Sequence, residues 1–414
     1  MTAQAQPQAV LTDADYARLL TDPYPVYRQL QAAGAPIFAP QLDAWLLSGF
    51  EAVDSAARDA RLVRSRETLL SAAELAAEQR AANWHNMPNH EAFVQFSLLE
   101  TDGDVHFRLR RLLLGAFTRR TVAQHRAMIE AFVDQLLPPL LEAGRIDFIE
   151  DLAAAVPGHI IGRVLGVPDA DCPQLRGWSE AIVQYFDVER TAQRKARAER
   201  ATAEFADYLR TLITARQRRP EDDLISLLVA AEAAGELNRQ ELISTAMLIL
   251  MAGHGSTINV LGTGLLALLK QPAHLKRLHQ EPALLPTAVQ EMFRYESPLP
   301  YFHRFAAEDL RLLGQDWPAG TRFGLLYGAA NRDPAVFPDA DTFRVDRQPN
   351  RHLAFGRGAH LCLGNHLSRL DMEIIFERLL ARTAHIELLD PNPSYRESLT
   401  ARGLTALPIH LHAA

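Results

Sequence analysis

The chain has 414 residues, 48% of them hydrophobic and 22% charged, with a formal net charge of -7 at neutral pH. That balance allows a large buried core and gives no reason to expect nucleic acid or an anionic membrane as partner. Its two cysteines, Cys172 and Cys362, exclude a disulfide scaffold and fit a reducing cytoplasm.

Length alone suggests two or three domains at ~150 residues each. Residues 1–20 carry neither the basic cluster nor the apolar run of a signal peptide and read as a disordered tail. Tyr24, Tyr27 and Leu30 then follow a helical period that ends on Gly34, and the runs Pro36–Phe38 and Ala44–Leu47 predict a hairpin. The segment from Arg66 to Glu100 is irregular and includes Trp84, His85, His90, Phe93 and Phe96. Long irregular segments in a compact protein are often lids or binding loops, so the three large aromatics line a pocket or fasten the segment to the core, while the two histidines are expected to be solvated. A helix from Asp104 to about Phe117 places His106 and Arg110 four apart on one face, two donors suited to a carboxylate.

Four or five helices are predicted between Arg119 and Glu232, broken at Gly144, Pro168 and Pro220, with Cys172 in an Asp-Cys-Pro turn and a solvated charge run from Arg216 to Asp222. Asn238 and Glu241 have the spacing of a capping box and open a helix reaching about Lys270. Its most apolar part, Leu242 to Gly253, is too short for a bilayer core of ~30 Å. Each interior glycine costs about 1 kcal/mol against alanine, so Gly253 and Gly255 beside Ser256 and Thr257 predict a kink or widened turn that frees carbonyls. From Pro286 to Glu296, Glu291 and Arg294 form an ordinary helix pair worth ~0.2–0.5 kcal/mol, or a buried one that is costly to break. The prolines of Ser297–Arg304 begin an extended, small β region.

The most informative stretch is Phe355-Gly356-Arg357-Gly358-Ala359-His360-Leu361-Cys362-Leu363-Gly364. Its glycines let backbone pass close to a flat ligand, and a helical pattern with Leu367, Leu370 and Ile374 follows at once. A cysteine just before a helix start feels the positive dipole end, which favours thiolate. A buried structural cysteine and half of a zinc site through His360 and Cys362 are the alternatives; zinc wants about four ligands. A shielded thiolate backed by peptide N–H groups is the proximal ligand of a haem iron that cleaves O–O bonds.

Phe355, Gly356, Gly358, His360, Cys362 and Gly364 match the haem-thiolate signature, and the chain from Pro23 to about Leu411 resembles the cytochrome P450 superfamily of the soluble bacterial type. The resemblance implies a mainly α fold with a minor β region, a single catalytic domain over 21–414, and haem b with Cys362 as axial ligand. It implies contacts to haem propionates from His106, Arg110, Arg304 and His352, and a structural triad of Glu291, Arg294 and Arg347 that fixes the meander before the cysteine. Asn331-Arg332-Asp333-Pro334 would be a structural turn. The implied substrate pocket draws on Trp84, Phe93, Phe96, Ile182, Phe186, Leu248, Met251, Leu299, Phe302, Thr400 and Ala401, the last two at the tip of a C-terminal hairpin spanning Thr400 to Pro408.

The central-helix motif resembles the family's oxygen-binding element, but Gly255 stands where an acid is usual and Ser256 where threonine is usual. Ser256, with Thr257, retains hydroxyls, so protons would arrive through water or a substrate group, or the outcome is not plain hydroxylation. The implied reaction is activation of O₂ and oxidation of a small organic substrate, by hydroxylation, epoxidation or a related step, in specialised-metabolite biosynthesis. No dinucleotide motif or cysteine cluster is present, so electrons are expected from a separate ferredoxin and ferredoxin reductase, docking near Arg357, Arg111 and Arg119. A peroxide-driven haem-thiolate peroxygenase and a non-catalytic haem protein that binds a ligand are the rivals. A cytoplasmic location without membrane or nucleic-acid partner is expected.

Overall fold

The helix Arg239–Leu269 is the axis around which the other elements pack in the computed structural model, which describes residues 10–67, 69–95, 97–186 and 190–414. Asn238 Oδ1 accepts from the Glu241 amide and Glu241 accepts from the Asn238 amide, both at 2.9 Å. This satisfies two donors left over at a helix start. Apolar residues on nearly every face bury the helix from all sides. Among the described residues it alone is long and apolar enough to cross a membrane, and most of it lies inside the fold. It runs as α-helix through Gly253–Thr257, so the widened turn expected there does not form. Gly253 instead permits close approach, since a Cβ there would lie 2.6 Å from Ile161 Cγ1 on the neighbouring helix Ala155–Leu165.

Helices dominate, and three small sheets complete the fold. The tail expected over 1–20 is corrected, since Asp13–Thr21 is a helix capped by Thr12; residues 1–9 lie outside the described residues. Tyr24–Ala33 ends where Gly34 takes the left-handed φ of +66°. The hairpin forms between Ile37–Ala39 and Ala44–Leu47 with Phe38 opposite Trp45. Its second strand pairs in parallel with Arg322–Leu326, which pairs in turn with Tyr301–Ala306. Between residues 119 and 232 there are six α-helices among the described residues: Arg119–Gln124, Arg126–Ala143, Ala155–Leu165, Cys172–Val183, Ala192–Arg218 and Leu224–Ala233. The hairpin expected over Thr400–Pro408 is also corrected. That stretch holds only the bridge Tyr395–Leu404, and the amides of Thr400 and Ala401 bond to Ser398 Oγ at 3.2 and 3.0 Å. The C-terminal strand is Pro408–Ala413, between Arg145–Asp147 and Thr383–Leu388.

The helix Leu285–Tyr295 carries the buried charges. The Glu291 carboxylate takes Arg294 Nε and Nη2, each at 2.7 Å, and Arg347 Nε at 3.0 and 3.1 Å. Its remaining lone pairs take the Arg344 amide at 3.0 Å and Asn350 Nδ2 at 3.1 Å. The guanidinium forks reach the carbonyls of Asn331, Pro338, Asp339, Ala340 and Thr342. One carboxylate thus neutralises part of two desolvated cations, and backbone oxygens absorb the rest. Removing the acid leaves both guanidiniums buried without a counter-ion, a loss of about 3–5 kcal/mol. Glu291→Ala is therefore expected to lower the urea midpoint steeply; a shift worth under about 1 kcal/mol, the value of an exposed pair, would deny the cluster its structural role.

Candidate active site

The loop bearing Cys362 begins where the Leu353 amide donates to Asn331 Oδ1 at 2.6 Å. It closes on itself through the Cys362 amide and the Phe355 carbonyl at 2.8 Å. Gly356 and Gly358 sit at φ of +70° and +68°, and a Cβ on Gly358 would lie 2.4 Å from the Ala57 carbonyl oxygen, so the turn admits only glycine there. Phe355 packs on Phe293 with ring centroids 4.5 Å apart and lies under the Arg369 guanidinium at 4.4 Å. Asn365 Nδ2 holds the Cys362 carbonyl at 2.8 Å as the helix Asn365–Arg382 starts.

Cys362 is solvent-accessible although protein packs densely around it, so it lies at the floor of a recess rather than on the outer surface. Burial raises the thiol pKa; the Gly364 amide, Arg110 and Arg369 oppose this without reversing it. The thiolate preference expected from the helix dipole is thus overturned for the thiol on its own, because desolvation outweighs a partial charge. A coordinated metal removes that proton outright. Cys172 is different: buried, with its thiol pushed up to about 11 by desolvation and nearby Asp169, it packs where a Cβ on Gly162 would meet its sulfur at 2.8 Å.

Basic groups gather around this loop. His106 Nδ1 lies 3.0 Å from the Leu98 carbonyl and Nε2 lies 3.1 Å from that of Ala359, while Arg110 Nη2 donates to the Leu361 carbonyl. His360 Nε2 is 3.1 Å from Asp102 Oδ1, and its ring is 4.2 Å from that of His106. Burial pushes His360 down to about 4 despite the carboxylate. Burial also works against the Asp102 carboxylate, but bonds from His360 and the amides of Ser65 and Arg64 win and lower its pKa. The pair at neutral pH is therefore a neutral imidazole donating to an ionised acid. Arg304, 4% exposed, donates to the His303 carbonyl at 2.9 Å and has no carboxylate partner among the described residues. Burial, then neighbouring Arg64, bring it down to about 10. A desolvated guanidinium lacking a counter-ion beside a loop of donors is a site for an anionic group. An accessible cysteine, buried donors and the open space where a Cβ on Gly364 would sit together fit a flat, metal-centred ligand with carboxylate arms.

His352 Nε2 is 3.0 Å from Gln290 Oε1, its Nδ1 accepts the Ala354 amide at 3.3 Å, and its ring stacks on Phe293 behind the loop. Like those of His106, its ring nitrogens are engaged within the protein, so the expected propionate contact would replace one of these bonds and stands as a proposal.

On the central helix, Leu248, Ala252, Gly255 and Ser256 are accessible while most of their neighbours are buried. Their spacing of four, seven and eight residues places them on one stripe. Met251 borders the stripe but is buried. A Cβ on Gly255 would meet nothing within 4 Å. Thr257 is turned away, with its hydroxyl 2.9 Å from Ser368 Oγ on the helix after Cys362. It joins the two helices instead of adding a second hydroxyl to the stripe. Leu299, Phe302, Thr400 and Ala401 are half-buried, and Phe302 lies under the Arg64 guanidinium at 5.3 Å.

The lid candidates divide differently. Trp84 packs among Tyr185, Phe186 and His90, with centroids 5.1, 5.7 and 5.0 Å away, as an anchor of the loop. Phe93 and Ile182 belong to the main core, and Phe96 lies outside the described residues. Arg111 and Arg119 are exposed, whereas Arg357 pairs with Asp54 at 3.3 Å. Sequence reasoning missed Asp102, Gln290, Ser368 and Arg369.

A mainly helical fold with an accessible cysteine loop and buried basic groups beside it is the arrangement of a cysteine-ligated oxidoreductase. The cytochrome P450 family model matches residues 76–407, and the chain belongs to that family. It is similar to the biotin biosynthesis cytochrome P450 of Bacillus subtilis strain 168, 33% identical over 95% of this chain and 97% of the relative. The cytochrome P450 monooxygenase PikC of Streptomyces venezuelae is 36% identical, over 94% of this chain and 91% of its own. Among solved structures, the P450 enzyme CxnD, for C–S bond formation in chuangxinmycin biosynthesis, superposes with a TM-score of 0.87 at 32% identity over the whole of both chains. The family makes this chain an enzyme, a cytochrome P450 monooxygenase.

His90 was expected in solvent and is fully buried, which pushes it down to about 3, with Arg190 contributing. Its folded pKa lies below the unfolded value, so the unfolded chain takes up the proton first as pH falls below ~6.5. Stability from this residue is complete above that pH and is reduced by about 2 kcal/mol at pH 5. Chemical denaturation at pH 7.5 and 5 should show a correspondingly smaller loss in His90→Gln; equal losses would mean that the ring is not held neutral.

Proposed function

We propose that the chain binds haem b through Cys362, takes electrons from a separate ferredoxin and ferredoxin reductase, and oxidises a small, largely apolar organic substrate in specialised-metabolite biosynthesis. The observation that carries this reading is the accessible Cys362 at the floor of a recess whose buried Arg304 lacks a counter-ion. When bound, the haem supplies O₂ activation and oxygen transfer. The protein's own contribution is positional and electrostatic. Arg304, with His106 and Arg110, would receive the carboxylate arms; the Glu291 network holds the loop in register; and the apolar stripe of the central helix excludes water and admits substrate.

Proton delivery falls to few groups. Ser256 has the hydroxyl of the open stripe, and the Thr257 hydroxyl is engaged by Ser368. With glycine at 255 no carboxyl stands on that stripe, so Ser256 Oγ would pass protons from water or from a polar group of the substrate. The resemblance to an enzyme for C–S bond formation supports an outcome other than plain hydroxylation. The missing acid also favours a second reading, use of hydrogen peroxide, which brings its own protons and electrons; turnover with peroxide and no redox partner would select it.

The thiolate is tested by reducing wild type and Cys362→Ser under carbon monoxide. The wild type should show the red-shifted band of thiolate ligation and the variant should lose it; a variant that keeps the band would end the proposal. Gly255→Asp should fit, because a Cβ there meets open space. General acid–base groups are typically worth about 10²–10⁴-fold, so the fraction of reductant recovered in product is expected to rise severalfold. Unchanged coupling would mean that Ser256 and water already suffice.

A further inference from the structure

The C-terminal strand Pro408–Ala413 alternates cleanly: Ile409 and Leu411 face the core, at 0% and 2% exposure, and His410 and His412 face outward. Its antiparallel neighbour Thr383–Leu388 does the same with Ile386 inward and His385 and Glu387 outward. The register sets His410 opposite Glu387 and His412 opposite His385. Since directly opposed side chains share a face, four metal-ligand types form a two-by-two patch on one rigid sheet. Glu387 Oε2 lies 3.6 Å from both His410 Nδ1 and His412 Nε2, and one ligand atom from each of these three residues lies within 4.8 Å of the others. The His410 and His412 rings are 4.1 Å apart, and the His385 ring is 5.6 Å from that of His412.

We infer that Glu387, His410 and His412 form a Zn²⁺ site, with water completing the coordination. Imidazole and carboxylate donors suit a borderline divalent ion, and tetrahedral zinc with bonds of about 2.0–2.1 Å spaces its donors about 3.3 Å apart, close to the 3.6 Å between Glu387 and each imidazole. Gly144 leaves room for the His410 ring, since a Cβ there would lie 3.1 Å from Nε2, and Nδ1 is on the Glu387 side. Arg145, opposite His410 on the other neighbouring strand, adds positive charge on that side, so the ion sits toward Thr383–Leu388. The site lies on a different element from the Cys362 recess. Its effect is to staple the last strand to its neighbour, and any ligand that binds only the folded state raises stability.

The test is a calorimetric titration of the haem-loaded, tag-free protein with Zn²⁺ alone. One ion per chain is expected, with affinity at least tenfold weaker in His410→Asn, His412→Asn and Glu387→Gln. Zn²⁺ should raise the melting temperature of wild type and not that of the double variant His410→Asn/His412→Asn. The haem spectrum should be the same in all of them, which also shows that the variants fold. No binding by the wild type, or equal stoichiometry and affinity in the double variant, would overturn the site.

Discussion

A single buried carboxylate, Glu291, sets the geometry on which the recess depends. Its two guanidinium partners spend their remaining donors on the backbone from Asn331 to Thr342. Asn331 then accepts the Leu353 amide at 2.6 Å while donating to Ser297 Oγ at 2.7 Å. The charge cluster is therefore two hydrogen bonds from the start of the Cys362 loop. Gln290, the adjacent residue on the same helix, accepts from Arg369 at 3.1 Å and faces His352 Nε2 at 3.0 Å. One helix thereby grips the loop before the cysteine and the helix after it. A desolvated ion cluster is weak evidence for added stability against an apolar substitute. Its value here is that the bonds are directional and fix one backbone path.

The arginines of the molecule separate by what their donors do. Arg294 and Arg347 are saturated by Glu291 and carbonyls, and Arg64 is paired with Glu100 and the His303 carbonyl. Arg304 is as buried as these and holds a carbonyl alone. Burying a charge is costly unless it is paired, so a fold that places Arg304 there gains when an anionic group arrives. The same logic holds for the thiol of Cys362: burial keeps it protonated, and only a cation strong enough to displace the proton makes the recess electrostatically complete.

Local chemistry made much of this readable from the residue order. The Asn238–Glu241 box, the glycine stop at Gly34, the short hairpin and the Glu291–Arg294 step are written within a few residues, and each stands where expected. What the residue order did not show lies at positions decided by distant partners. Gln290, sixty-two residues away in the chain, is brought against His352. Thr257 looked available until Ser368 took its hydroxyl. His90 and Trp84 sit in a polar-looking stretch, yet Tyr185 and Phe186 come from a later helix segment to enclose them. The parallel pairing of Ala44–Leu47 with Arg322–Leu326 left no local mark at all.

The central helix shows why two neighbouring glycines should not be explained together. Gly253 answers to packing, since Ile161 occupies the space a side chain would need. Gly255 faces open space on the stripe that holds Ser256, so neither packing nor helix continuity requires a glycine there. A helix pays about 1 kcal/mol for each interior glycine against alanine, and at 253 close approach offsets that cost. At 255 none of the described residues does. The compensation must therefore lie in what shares the stripe: with no side chain there, the volume and the hydrogen-bonding duties beside Ser256 pass to water or to the bound substrate.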